Sequence, residues 1–361
     1  MSAALFHPTP PDFVTLPSIG LDISDTSMKY VKFSGTEAGK RKLEQWGDIT
    51  IPAGVLKRGE VLDPQQLAAV LVECQEKTGA EFVRVSLPEE RAYLFETEIK
   101  RSTPLKEMRS LLEFRLAENV PIPARDVVFD YTVLPLQSPD DRVIKVAVTA
   151  YARETIQTYY EACLAAKLQP VAFEVEAQAM ARSVIPVENS GAAMLVDFGK
   201  TRTGIGIVYN NVLLYTSTID IGGDQLSAAL RKQLGEDKAE KELTMLKNTE
   251  GLVHGAESSV VHDALMTTVS VIKDELATRM QYWHLRTGSD DLRRIHSIVL
   301  SGGSSNLKGL PAYLSETVGV KTVRANVWEN TYSLDEVVTP IDKRHSIGYA
   351  TAVGVALQSS V

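Results

Sequence analysis

Cysteine is scarce in this chain. Cys74 and Cys163 are the two in 361 residues, they lie far apart, and they form no CxxC pair. That excludes a disulfide scaffold and a thiolate zinc module, and it fits a reducing compartment. Histidine is no better placed. His7, His254, His262, His284, His296 and His345 are scattered, none at ligand spacing from another histidine or a cysteine. No apolar run reaches the ~20 residues that a membrane helix needs. The opening MSAALFHPTPPDFVTLP has no basic stretch and is broken by prolines, so it does not read as a secretory signal. Positive charge is in deficit, with a net charge of −8, which argues against broad nucleic-acid binding and a basic membrane-surface role. What remains is a soluble, cytoplasmic chain, longer than one core usually serves.

The residues present are organised as alternating strands and helices. SIGLDISDTSMKYVKF predicts strand, turn, strand, and RKLEQWGDITIP a third strand. DPQQLAAVLVECQEKTG predicts a helix, with Asp63 as N-cap, Pro64 in the first turn and Gly79 past the end. EFVRVSLP is a short buried strand. From about residue 89 to 170 the pattern becomes strand, helix, two strands around QSPDD, and helix, a module inserted into the first domain. QPVAFEVE and AQAMARSVI return to strand and helix. The opening theme then repeats in GAAMLVDFGKTRTGIGIVYNNVLLYTSTIDIGGDQLSAAL, with a hairpin at Asn210-Asn211. Charged and long helices follow, then IVLSGGSSNLKGLPAYL as strand, glycine loop and helix, and a last helix HSIGYATAVGVALQ.

The repeat is the informative feature. IGLDISDTSMKYVKF and MLVDFGKTRTGIGIV share an apolar strand, an aspartate, a polar turn and a second strand, and their acids Asp22 and Asp197 stand roughly half the chain apart. Two facing turns of this kind can grip a polyphosphate. Their backbone N–H groups surround it, small residues allow close approach, and Ser, Thr and Lys donate to it. An aspartate at the end of each first strand can hold Mg²⁺ directly or through water. Gly302-Gly303 would let a nucleoside lie against the backbone. Ordinary polar turns and a tight strand–helix turn are the plainer readings of the same segments. DFGKT is not a P-loop, because Met194 stands where the first glycine belongs. The DFG triplet has no HRDxxxxN loop to accompany it.

Together these segments resemble the actin-like ATPase superfamily, which includes actin, heat-shock chaperone ATPases, sugar kinases and FtsA. GLDISDTSMK is similar to its first phosphate motif, LVDFGKTRTGIGIV to the second and VLSGGSSNLKGLPAYL to the adenosine motif, while EVEAQAMARS and SIGYATAVGVAL resemble its connecting helices. Within it the chain resembles the PilM family of type IV pilus assembly, notably in LAENVPIPARDVVFDYTVL, IDIGGDQLSAAL and KDELATRMQYW. The resemblance implies an α/β, duplicated, ribonuclease H-like, two-lobed fold. Its expected parts are a flexible leader at 1–17, a first lobe (1A) at 18–190 with a 1C subdomain inserted at about 89–170, a second lobe at 191–344 with a 2B part at about 236–292, and a helix at 345–361 packing back on the cleft.

It further implies ATP and Mg²⁺ as cofactors. The residues implied are Asp22, Ser24, Asp25, Thr26, Ser27 and Lys29 in the first turn, and Gly199, Lys200, Thr201, Arg202 and Thr203 in the second. Gly222, Gly223, Asp224, Glu275, Gly302, Gly303 and Ser304 complete the nucleotide set, with Asp22 and Asp197 on the metal. Glu176 falls where the superfamily positions the attacking water, and equally suits a helix N-terminus as a dipole-stabilised acid. The chain departs from the pattern at Ser24, Lys200 and Arg279, where small residues are expected, so hydrolysis should be slow at most. The implied role is a cytoplasmic adaptor recruited to the inner face of the membrane through partners alone. It would bind the N-terminal peptide of a PilN-type inner-membrane protein in a 1A/1C groove, with other pilus assembly components alongside. An FtsA-like division protein, which would add an amphipathic helix after ALQSSV, and a small-molecule kinase are the alternatives.

Overall fold

The structure, a computed structural model, describes residues 16–35, 41–134, 142–253, 259–288, 293–335 and 337–358; the expected leader up to residue 15 and the QSPDD turn lie outside them. The first lobe is built on β1 (Ser18–Ile23), β2 (Ser27–Ser34) and β3 (Lys42–Thr50), a meander of antiparallel strands. A small hairpin follows, β4 (Leu56–Lys57) and β5 (Glu60–Val61). Helix α1 (Pro64–Thr78) starts as its sequence requires: the Asp63 carboxylate accepts from the N–H groups of Gln65 and Gln66 at 3.1 and 3.0 Å, and Gly79 ends it at φ 62°. Strand β6 (Phe82–Leu87) then pairs parallel with β1, and β10 (Gln169–Val175) parallel with β6.

The second lobe repeats this plan. β11 (Ala192–Phe198), β12 (Thr203–Tyr209) and β13 (Val212–Ile219) form the meander, and β14 (Ile295–Ser301) and β15 (Lys321–Arg324) add parallel strands to β11. The two sheets have the same order, β10-β6-β1-β2-β3 and β15-β14-β11-β12-β13. The Asn210-Asn211 turn is as expected, both residues at positive φ, the geometry of a tight two-residue hairpin. Helices α5 (Gly223–Leu234), α6 (Glu240–Thr249) and α7 (Ser259–Thr287) lie between β13 and β14, and α8 (Leu310–Val318) between β14 and β15.

Between β6 and β10 sits the insert: β7 (Ala92–Lys100), α2 (Leu105–Asn119), β8 (Val127–Val133) and β9 (Val143–Ala152). Its sheet has the order β7-β9-β8, and its own core gathers Phe95, Ile99, Met108, Leu112, Leu116 and Val148. The apolar face of α2 is narrow. Met108, Leu112 and Leu116 are buried at strict i, i+4 spacing, while Leu105 is 78% and Leu111 39% exposed. Helix α3 (Arg153–Ala165), which the sequence groups with the insert, packs on α1 in the first lobe.

Two connecting helices cross between the lobes, α4 (Glu176–Val184) and α10 (Ala350–Ala356). A Cβ on Gly354 would stand 1.7 Å from the Ala179 carbonyl oxygen, so the helices meet backbone to backbone. The expected single helix over HSIGYATAVGVALQ is broken into α9 (Lys343–Ser346), a 3₁₀ turn at Ile347–Tyr349 and α10. The reason is local: the Ile347 carbonyl accepts from Gly302 N–H at 3.1 Å and Ser301 Oγ at 2.7 Å rather than from the next helical turn. Among the described residues no helix is long and apolar enough to cross a membrane.

Candidate functional site: the cleft between the lobes

Parallel strands of α/β sheets present ligand sites at their carboxyl ends. Here those ends converge from both lobes: Asp22 on β1, Ser86 to Glu90 after β6, Glu176 after β10, Asp197 on β11 and Gly302 after β14. Asp22 accepts from Ser86 Oγ at 3.1 Å. Burial raises its carboxyl above the ordinary range, and Lys29 and that hydrogen bond oppose the shift. Burial, with Asp22 beside it, pushes Asp197 up to about 6, against the pull of Lys29 and Arg202.

The first turn is self-bonded. Ser24 N–H and Oγ both donate to the Ser27 carbonyl at 2.9 Å, and Lys29 Nζ donates to Ser27 Oγ at 2.9 Å and pairs with Asp48 at 3.5 Å. Thr26 gives its carbonyl to Ile51 N–H at 3.0 Å. The Asp25 side chain offers no donor to a phosphate, since a carboxylate only accepts. It takes the N–H groups of Arg58 and Gly59 at 2.9 and 3.2 Å, anchoring the β4–β5 hairpin, and pairs with Arg202 at 3.2 Å.

In the second turn, the Gly199 carbonyl accepts from Gly223 N–H at 3.0 Å and Ser304 Oγ at 2.8 Å, which draws the Gly222-Gly223 and Gly302–Ser304 loops onto it. The Lys200 carbonyl caps Asp224 N–H at 2.8 Å, and Thr203 Oγ1 donates to the Ile221 carbonyl at 2.6 Å. A side chain on Gly302, at φ 80°, would stand 2.3 Å from Asp197 Oδ1. Lys200, expected to crowd the turn, is exposed; Arg202 is the side chain that points into the cleft. Among the described residues, the amides of Asp25, Thr26, Lys200, Thr201 and Arg202 donate to no carbonyl within their turns.

Glu176 stands at the first turn of α4 and meets Glu89, which the sequence reading missed. The two carboxyls hydrogen-bond. Burial and the facing carboxylates raise both, Glu89 to about 8. Glu89 is 7% exposed, and a Cβ on Gly204 would stand 1.9 Å from its Oε1. The signal available for Glu89 and Glu90 was positional: two acids directly after a buried strand closed by Pro88. Glu275 pairs with Arg279, whose Nε donates to Ser217 Oγ on β13 at 3.4 Å. The side chains that adjoin the loop are those of a cavity of about 350 Å³ lined by Asn248, Thr249, Asn306, Lys308, Arg324 and Arg344.

The turns fit a nucleotide's phosphates through their open amides, the Gly302 approach and Lys29. Among the described residues no three His, Cys, Asp or Glu side chains converge as a metal set. Mg²⁺ would therefore be held by Asp22 or Asp197 together with water and phosphate oxygens, as that ion commonly is.

A second recess lies between the insert and the first lobe, and its Leu87, Tyr151 and Val175 lining adjoins the Glu89–Glu176 end of the cleft. It has a volume of about 540 Å³. Five successive residues of β8, Val128 to Thr132, line it, which requires the recess to run along the strand's edge, and β8 is an edge strand. Phe173, Gln178 and Arg182 also line it, with Asn211 and Leu213 of the second lobe.

The model of the family of type IV pilus assembly protein PilM matches residues 20–360. The chain belongs to that family. A PilM–PilN type IV pilus biogenesis complex is similar in structure, with a TM-score of 0.75, 23% identity, and coverage of 95% of this chain and 98% of that one. The ethanolamine utilization protein EutJ from Carboxydothermus hydrogenoformans gives 0.52 at 14% identity, covering 96% and 92%. MreB5 of Spiroplasma citri bound to ADP gives 0.51 at 13%, covering 86% and 92%. These likenesses establish the duplicated, two-lobed actin-like fold, and the PilM family membership assigns the chain to type IV pilus assembly.

Proposed function

We propose that this PilM family member is a nucleotide-binding adaptor that captures an extended N-terminal peptide of a PilN-type inner-membrane protein. The observation that carries the reading is the recess along β8. An edge strand presents unpaired N–H and C=O groups, and an extended peptide can add to it while alternate side chains enter the apolar recess. The similar PilM–PilN complex supports this choice of partner. Through that peptide a cytoplasmic protein would be held at the inner face of the membrane beside other assembly components. Mg·ATP would bind in the cleft, its phosphates between the two turns and its nucleoside toward Gly302–Ser304 and the Asn306 cavity. Mg²⁺ would supply charge neutralisation at the phosphates, and Glu176, its carboxyl raised by burial and by Glu89, would be a poor base for water. Turnover would thus fall well below the ~1–10³ s⁻¹ of typical enzymes.

The test is fluorescence polarisation with a labelled PilN-type N-terminal peptide. Thr149→Trp, which fills the recess from β9, should weaken capture by at least about tenfold and leave the protein folded by circular dichroism. Undiminished capture by the folded variant would place the peptide elsewhere.

A further inference from the structure

The two turns carry opposite charges, and they pair with each other. Arg202, from the second lobe, reaches across to Asp25 in the first turn at 3.2 Å and to Glu90 beyond β6. All three side chains are largely buried, at 16%, 14% and 11% exposed. Asp25 is held in place from behind by the amides of Arg58 and Gly59. Arg202 Nη1 is in direct ion-pair contact with the Glu90 carboxylate. Two further pairs tie the second lobe to the rest: Arg58 with Asp220 at 3.3 Å, and Arg293 with Glu96 of the insert at 2.7 Å. The guanidinium therefore stands between the two turns, where a phosphate would enter.

We propose that Arg202 is an interlobe latch: bridging Asp25 and Glu90, it closes the cleft in place of a bound phosphate, and a nucleotide must draw this guanidinium off the carboxylates in order to seat. The proposal rests on the reading of the cleft as a nucleotide site. Removing one partner of a buried pair leaves an uncompensated charge. Asp25 would keep its two amides, but Glu90 would be left beside Glu89 and Glu176 with no cation. Nucleotide entry is thus opposed by the pair that Glu90 makes with Arg202. Closure, for its part, does not depend on nucleotide.

Calorimetric titration of the full chain with Mg·ATP tests the first half. Glu90→Gln frees the guanidinium and should bind about tenfold more tightly than wild type. In an Arg202→Ala background the same substitution should gain nothing, because there is no guanidinium to release. An equal gain in both backgrounds would mean that Glu90 acts by plain repulsion, and the latch is wrong. Small-angle scattering of the nucleotide-free protein tests the second half. Arg202→Ala should open the lobes and enlarge the radius of gyration, and an unchanged radius overturns the proposal. If neither wild type nor any variant binds Mg·ATP, the nucleotide reading fails by itself, and the scattering still decides the latch. Arg202→Met replaces the alanine variant should that fail to fold.

Discussion

Two carboxyls in the cleft hold protons well above their ordinary range, Glu89 at about 8 and Asp197 at about 6, because burial disfavours their charged forms and neighbouring carboxylates add to it. An unfolded chain would release those protons near pH 4. Between the unfolded and folded values the native state binds more protons, so its stability is greatest at the acid end of that window and is lost as pH rises. Denaturant unfolding of the metal-free protein should show stability falling from about pH 5 to pH 8, by up to about 1.4 kcal/mol per pH unit for each such proton. Glu89→Gln should flatten the upper part of that slope; a wild-type slope of opposite sign would refute the protonated pair. At this scale the turns were legible, since an aspartate followed by small polar residues between two apolar strands leaves few other uses. Glu89 and Glu90 were not, because acids after a proline also begin helices and nothing local reveals what faces them. Asp25 was read by its neighbours in sequence, but a carboxylate can only accept, and its partners come from residues 58, 59 and 202.

Strands and caps followed from local chemistry at the element scale. Asp63, Gly79 and the Asn210-Asn211 turn each settle a chain direction with their own side chain or φ, so no distant partner is needed to read them. The cavity beside the glycine loop shows the limit: which helix end borders it is a question of topology, and the end of α6 supplies Asn248 and Thr249. The broken last helix is likewise tertiary, caused by the pull of β14 on the Ile347 carbonyl. The crossing of α4 and α10 is the most sensitive element contact. Gly354→Val should force the two helices apart and lower stability by about 1–3 kcal/mol or more, read as a drop in thermal midpoint. A midpoint within error of wild type would mean that the crossing is looser than its geometry.

On the scale of the whole molecule, duplication was visible because the two hairpins repeat in sequence, and the matching strand orders of the two sheets carry it through the fold. The recess between insert and first lobe was foreseen only as a junction. Its lining comes from residues 87 to 358, and no single segment of the chain announces it. The recess and the cleft adjoin at the ends of β6 and β10 but are lined by different side chains, so the two proposed binding activities should be lost separately. A folded protein with residues 92–152 replaced by a short linker should fail to capture the peptide and still bind Mg·ATP by calorimetry. Full-affinity capture by that protein would show that the insert is not the receiving surface.

An unpaired strand edge is ordinarily a hazard, since any exposed strand of another molecule can zip onto it and seed aggregates. Here the edge of β8 lines a recess that Phe173, Gln178 and Arg182 also line. A strand of a neighbouring copy would have to enter that recess before it could pair. The same hollow that would receive a single extended chain thus hinders edge-to-edge joining, and crowding of these molecules need not end in precipitation.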